Sequence, residues 1–273
     1  MMNNNLRGLA CLLLLGIFSW PSGASVIEEL DCIIEPEMTI ELSTSVDGIV
    51  DSVAVDKSDR VKKGQVLAQL EASVEQAAVA VAAAQAKMDD DIRAKQVNKK
   101  FADRKKRRAA ELFEKKVGSS YDKDEAETEA RLAQLALEQA HNDKKLAQLE
   151  LQRAEAALKL RTVTSPAAAI VVDRYVHPGE SVKDKPLLKL AQIDPLRIEI
   201  IAPSELYGSI QPGMQAEIFP EAPANDSYLA TVSVVDNIID AASGTFGIRL
   251  TLPNPDYKVV GGLKCRANFD SQR

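Results

Sequence analysis

The stretch Ser73 to Arg161 constrains this chain more than any other, because it runs almost ninety residues with a single glycine and no proline. Ala, Leu, Glu, Gln, Lys and Arg dominate it, all strong helix formers. A seam at alternating steps of four and three runs up through Val74, Ala78, Val81, Gln85, Met88, Ile92, Lys95, Lys99, Ala102, Lys106, Ala109 and Phe113. The same stepping returns through Ala126, Ala130, Ala133, Leu137, Ala140, Lys144, Ala147, Leu151, Ala154 and Leu158. Heptad spacing keeps one apolar stripe toward a partner helix. At 1.5 Å of rise per residue each arm would be roughly 65 Å long. Two readings exist: a single rod that dimerises, or two helices folded back at Gly118. The second is favoured by the residues around the glycine. Lys115 and Lys116 suit the negative end of a helix, Gly118 can take the left-handed conformation, and Ser119 or Ser120 can cap a second helix with Asp122, Asp124 and Glu125 in its first turn.

The N-terminus pairs Arg7 with an apolar run from Leu9 to Phe18 and then Pro21-Ser22-Gly23-Ala24. This is the pattern of a secretory signal (residues 1–24), and the run is too short to span a bilayer. Cleavage after Ala24 removes one of 34 basic residues and none of 40 acidic ones, leaving a net charge of −7. Export and that balance argue against nucleic acid as a partner. Two cysteines remain, Cys32 and Cys265. In an oxidising compartment they are a disulfide candidate, the alternative being two separately buried thiols.

From Thr39 to Leu70 the pattern is strand-like, with turns at Asp47-Gly48 and Lys63-Gly64. The segment after the helices repeats it at an offset of 121 residues. Gly48-Ile49-Val50 falls on Ala169-Ile170-Val171, Val55 on Val176, Ser58 on Gly179, Val61-Lys62 on Val182-Lys183 and Val66-Leu67 on Leu187-Leu188. Two copies of a unit too small to bury a core alone imply one β-domain interrupted by the helices. Leu196–Ile201, Gln215–Phe219, Tyr228–Val235, Phe246–Leu252 and Lys264–Phe269, separated by Pro/Gly/Asn turns, predict a small antiparallel barrel, joined by a strand near Glu28 to Glu37. The expected fold is therefore α+β and multidomain. A long α-helical coiled-coil hairpin (72–161, tip near 112–120) is inserted between β-sandwich halves (45–71 and 162–191). A β-barrel follows (192–273), with an N-terminal strand from 25–44.

This layout resembles the membrane fusion proteins, the periplasmic adaptor subunits of tripartite efflux pumps and type I secretion systems. Val46-Asp47-Gly48-Ile49-Val50 with Asp59-Arg60-Val61-Lys62-Lys63-Gly64-Gln65-Val66-Leu67 is similar to that family's first lipoyl half-motif. Thr164-Ser165-Pro166 and His177-Pro178-Gly179-Glu180-Ser181-Val182 are similar to the second, and Leu252-Pro253-Asn254-Pro255-Asp256 to a barrel loop. The resemblance implies a split lipoyl-like sandwich, a periplasmic location and hexameric self-association. It further implies two partners: an inner-membrane transporter of RND or ABC type, and a TolC-type outer-membrane channel. Members that dock on such channels carry Arg, Leu and Ser at the hairpin tip, four and then seven residues apart. Arg108, Leu112 and Ser119 have that spacing.

No catalytic residue, cofactor or metal is expected. His141 and His177 lack ligand companions, and no nucleophile elbow or phosphate-binding loop occurs. A lipoyl or biotinyl carrier would need an acceptor lysine in the turn that the hairpin replaces. The basic run Arg104 to Arg108 reads as a solvated face that steers toward an acidic partner. A second stripe, Leu132, Leu135, Leu146, Leu149 and Leu160, either widens the seam or meets a neighbouring copy.

Overall fold

The computed structural model describes residues 29–222 and 226–269; the segment read as a secretory signal (1–24) and the terminal Asp270-Ser271-Gln272-Arg273 lie outside them. In chain order the elements are β1 (Leu30–Ser43), β2 (Gly48–Val53), β3 (Arg60–Val61) and β4 (Val66–Leu70). The helices follow as α1 (Ser73–Lys87), α2 (Asp90–Glu114) and α3 (Ser120–Lys159). Then come β5 (Thr162–Thr164), β6 (Ala169–Arg174), β7 (Ser181–Val182) and β8 (Pro186–Pro203). The last strands are β9 (Gln215–Pro220), β10 (Tyr228–Val235), β11 (Thr245–Leu252) and β12 (Leu263–Asn268). The chain divides into two units, one of residues 36–196 and 253–261, the other of residues up to 35, 197–252 and from 262 onward.

In the first unit, the offset of 121 residues relates strand to strand. β2 pairs with β7 through Ile49 and Ser181, while β3 pairs with β6 through Arg60 and Ile170, the same exchange with the halves interchanged. The amide of Ser58 donates to the carbonyl of Val171 and that of Gly179 to the carbonyl of Val50, each at 2.8 Å. The amides of Val171 and Val50 donate in turn to the carbonyls of Asp59 and Glu180, each at 2.9 Å. Ser58 and Gly179 both take positive φ there, 72° and 88°. Each half thus completes the ladder of the other, which two-residue strands could not do alone. The equivalent pairs Val50/Val171, Val55/Val176, Val61/Val182 and Leu67/Leu188 are all buried in one core.

The helices occupy the interval between those halves. α3 is unbroken over 40 residues, about 60 Å of rise. Its inward positions are those read from the sequence, with Ala126, Ala130, Ala133 and Ala140 buried. Small side chains there let the facing backbone approach closely; Ala102 of α2 packs directly with Ala130 and Ala133. The ascending arm differs from expectation, being two helices rather than one. At Met88 the backbone turns extended (ψ 128°) and Asp89 is also non-helical, so α1 ends and α2 starts in a new phase. Below that break the inward residue is Ala82, while Val74 and Val81 face solvent. Above it Ile92 and Ala102 are buried, on the predicted seam. The seam read for α1 is therefore one residue out of phase, because a heptad count carried through two non-helical residues no longer tracks the helix face.

The second unit is a closed barrel. Its strands run β1-β12-β9-β10-β11-β8, and β1 also pairs with β8, which removes the exposed edges. Alternation of period two fills it: Ile198, Ile200, Ala202, Ala216, Ile218, Ala230, Val232, Ile248 and Leu250 point inward and are buried. Cys32 and Cys265 stand directly opposite in the β1–β12 register. Their Cα atoms are 4.8 Å apart and their sulfurs within bonding distance.

Candidate docking tip

The turn between α2 and α3 is built from a backbone-bonded helix ending followed at once by a side-chain cap. The amide of Val117 donates to the Leu112 carbonyl at 3.0 Å and that of Lys116 to the Phe113 carbonyl at 2.9 Å. These are the paired bonds of a Schellman ending. Its left-handed residue is Lys116 (φ 58°), not Gly118 as the sequence suggested, and Lys115 and Lys116 lie past the last helical turn. Gly118 is required for a different reason. A Cβ there would lie 3.1 Å from Leu112 Cβ and 3.2 Å from the backbone of Leu112 and Phe113. Lys116→Gly should accordingly stabilise the protein by about 1 kcal/mol, since glycine bears no Cβ penalty at positive φ. Gly118→Ala should destabilise by a similar amount. Thermal unfolding of the two variants followed at 222 nm checks both signs.

Ser119 is the N-cap of α3, its Oγ accepting from the Asp122 amide at 3.3 Å. The cap uses one of the oxygen's two lone pairs, which leaves the hydroxyl proton and the second lone pair to offer outward. Arg108 and Leu112 lie one turn apart on α2, both exposed. Arg108 pairs with no acidic side chain among the described residues. All three residues thus come to one end of the hairpin. Lys105 reaches across the arms to Glu129 at 2.8 Å, and that bond raises the lysine's pKa. The sequence reading missed Val117 and Tyr121, among the most exposed apolar side chains of the molecule at 73 % and 72 %. Their signal was the position itself: large apolar residues in a turn where polar ones are usual. Phe113, beside them, carries the Lys123 ammonium over its ring at 5.2 Å.

At the opposite end, Arg161 holds the hairpin to the sheet. Its Nη1 donates to the Asp47 carbonyl at 2.9 Å and its Nη2 to Glu75 of α1 at 2.7 Å. Its own carbonyl accepts from Leu70 of β4. Glu71, between β4 and α1, is held below its ordinary pKa by hydrogen bonds from Ser73. That contribution is complete at neutral pH and is lost only as the pH falls through the depressed value. Among the described residues no cluster of His, Cys, Asp and Glu could hold a metal, and no helix is long and apolar enough to cross a membrane.

A β-unit of two interlocked halves, a 40-residue-long helical arm between them and a closed barrel after it define a barrel-sandwich hybrid joined to a β-barrel. Residues 38–192 match the family model of the CzcB-like barrel-sandwich hybrid domain, and residues 197–273 that of the CusB-like β-barrel domain. The chain belongs to the membrane fusion protein family, in its CzcB-like, RND-associated branch. It is 25% identical over 218 residues to the cation efflux system protein CzcB of Alcaligenes sp. (strain CT14). It is 24% identical over 218 residues to the cobalt-zinc-cadmium resistance protein CzcB of Cupriavidus metallidurans. Each match takes in 79% of this chain, which spans only 39% of the length of either relative. In fold it is similar to MacA from Actinobacillus actinomycetemcomitans, with a TM-score of 0.70 at 20% identity, over 88% of this chain and 77% of the other. It is also similar to the membrane fusion protein Spr0693 from Streptococcus pneumoniae R6, with a TM-score of 0.62 at 14% identity, over 90% and 99%.

Proposed function

We propose that this chain is a non-catalytic periplasmic adaptor that links an inner-membrane transporter of RND type to a TolC-type outer-membrane channel. The observation that carries the reading is the hairpin tip, where Arg108, Leu112 and Ser119 stand together at the far end of an arm whose base is pinned by Arg161. Arg108 offers a forked donor, Leu112 an apolar knob and Ser119 a hydroxyl to the helical ends of another bundle. The interlocked halves (45–71 and 162–191) serve as a lipoyl-like sandwich split by the coiled-coil arm (72–161). The barrel (192–273, with the strand from 25–44) serves as the grip on the transporter. The cargo is a small solute, and the names of the curated relatives point to inorganic cations.

A second copy is the partner for the hairpin's flanks. Lys105–Glu129 and Asp89–Lys144 fix the heights of the two arms. Exposed Val97 and Phe101 on α2 thus stand level with exposed Leu132 and Leu135 on α3, and Met88 level with Leu146. α2 carries nine basic against five acidic residues, α3 six against nine. Apolar stripes at matching heights with opposite net charge suit a head-to-tail contact between copies, which closes into a ring; six is the number the family resemblance implies.

Arg108→Asp and Leu112→Asp, tested in cells by cross-linking to the outer-membrane channel and by solute efflux, should each lower capture by about tenfold or more. Unchanged capture and efflux in both variants would refute the assignment. Export also makes a prediction for the barrel: denatured without reductant, the mature protein should bind no thiol-alkylating reagent. Two labelled cysteines, at Cys32 and Cys265, would count against an oxidising location.

A further inference from the structure

We propose that Val117 and Tyr121 form the central apolar contact of the docking tip, entering a groove on the acidic helical end of the outer-membrane channel. This rests on the tip-docking reading above and deepens it. Three observations converge on it. First, the Schellman ending throws Val117 outward: its amide is tied back to Leu112 while the left-handed turn at Lys116 directs the chain away from α2. Second, Tyr121 sits in the first turn of α3, two residues past the Ser119 cap, so the cap fixes the backbone from which the ring projects. Both side chains are more exposed than that of Leu112, which is 44 % exposed and whose backbone carbonyl accepts the turn-closing amides of Val117 and Gly118. A rigid aromatic ring and a branched aliphatic, surrounded by charge, are the composition of an interface centre rather than of a solvated turn.

Third, the charge around them names the partner's sign. Residues 104–125 hold eight basic and five acidic side chains, a net of +3 on a chain whose total is −6. Such a tip is attracted to an acidic rim, and is not repelled by it as the chain as a whole would be. Arg108 and the lysines supply steering at the edge, and Val117 and Tyr121 supply the desolvated middle.

The test uses the full chain with a purified TolC-type channel in detergent, binding being read by fluorescence anisotropy. Val117→Asp and Tyr121→Asp should each weaken binding about tenfold or more, with Tyr121→Phe much closer to the parent. Their helicity at 222 nm should be unchanged, since both side chains already face solvent. Affinity should also fall as salt rises, through screening of the acidic rim. If Arg108→Asp abolishes binding while Val117→Asp and Tyr121→Asp remain within about twofold, the inference is overturned and tip docking stands. If neither set of variants alters binding, tip docking falls and this inference with it. Salt-independent binding would overturn the acidic partner.

Discussion

Leu188→Ala is expected to destabilise the first unit by about 3 kcal/mol, and Leu67→Ala to cost nearly the same. Both leucines are 0% exposed, and they occupy equivalent places in the two interlocked halves, one 121 residues after the other. Each deletion removes three carbons' worth of apolar burial and leaves a cavity that packed neighbours fill only in part. Because β2 pairs with β7 and β3 with β6, damage in one half withdraws support from strands of the other. The loss should therefore spread over the whole unit. Hydrogen exchange is the measurement: amides of Val50 and Val171 should lose protection together in either variant. Protection lost in one half only would show that the halves fold independently.

Arg161→Ala is expected to cost about 2 kcal/mol and to loosen the base of the hairpin. The guanidinium serves two acceptors at once, the Asp47 carbonyl and the Glu75 carboxylate. The pair's side chains are 22% and 18% exposed, so solvent screens them and the cost stays below that of a fully buried pair. Gly48→Ala should act in the same direction with a smaller effect. A Cβ at Gly48 would lie 2.7 Å from Arg161 Nη1, the movable end of a flexible side chain. That end would swing off Asp47 rather than strain the sheet. The Leu70 amide, which donates to the Arg161 carbonyl, should exchange faster in both variants, and Lys116→Gly should leave it unchanged. An arm free at its base would present the tip poorly to any partner, so under the docking proposal Arg161→Ala should also lower channel capture without touching the tip.

Much of this architecture was legible in the residues. The β10 boundaries, Tyr228 to Val235, agree with the sequence reading, and β9, β11 and β12 agree to within one residue, because alternation and Pro/Gly turns both mark them. The helical arms were legible from composition, and the descending seam from heptad spacing. The break at Met88–Asp89 was not, since neither residue is a helix breaker. The interruption shows only in the structure, where α1 turns Ala82 inward and α2 turns Ile92 and Ala102 inward. The tip shows the same limit. Arg108, Leu112 and Ser119 were singled out by a spacing that the family resemblance supplied, whereas Val117 and Tyr121 were marked only by being apolar beside a turn, and their exposure shows once that turn is built.

Local chemistry by itself determined where most helices and strands run, that Ser119 can cap a helix, and that two β segments are copies of one another. These follow from propensity, periodicity and side-chain hydrogen bonding, each acting over a few residues. Only the tertiary structure decided that the copies exchange strands, that Lys116 rather than Gly118 takes the left-handed turn, and that Arg161 locks the arm to the sheet. Those outcomes depend on which groups separated in sequence compete for the same space and the same acceptors, and no short-range pattern records that competition.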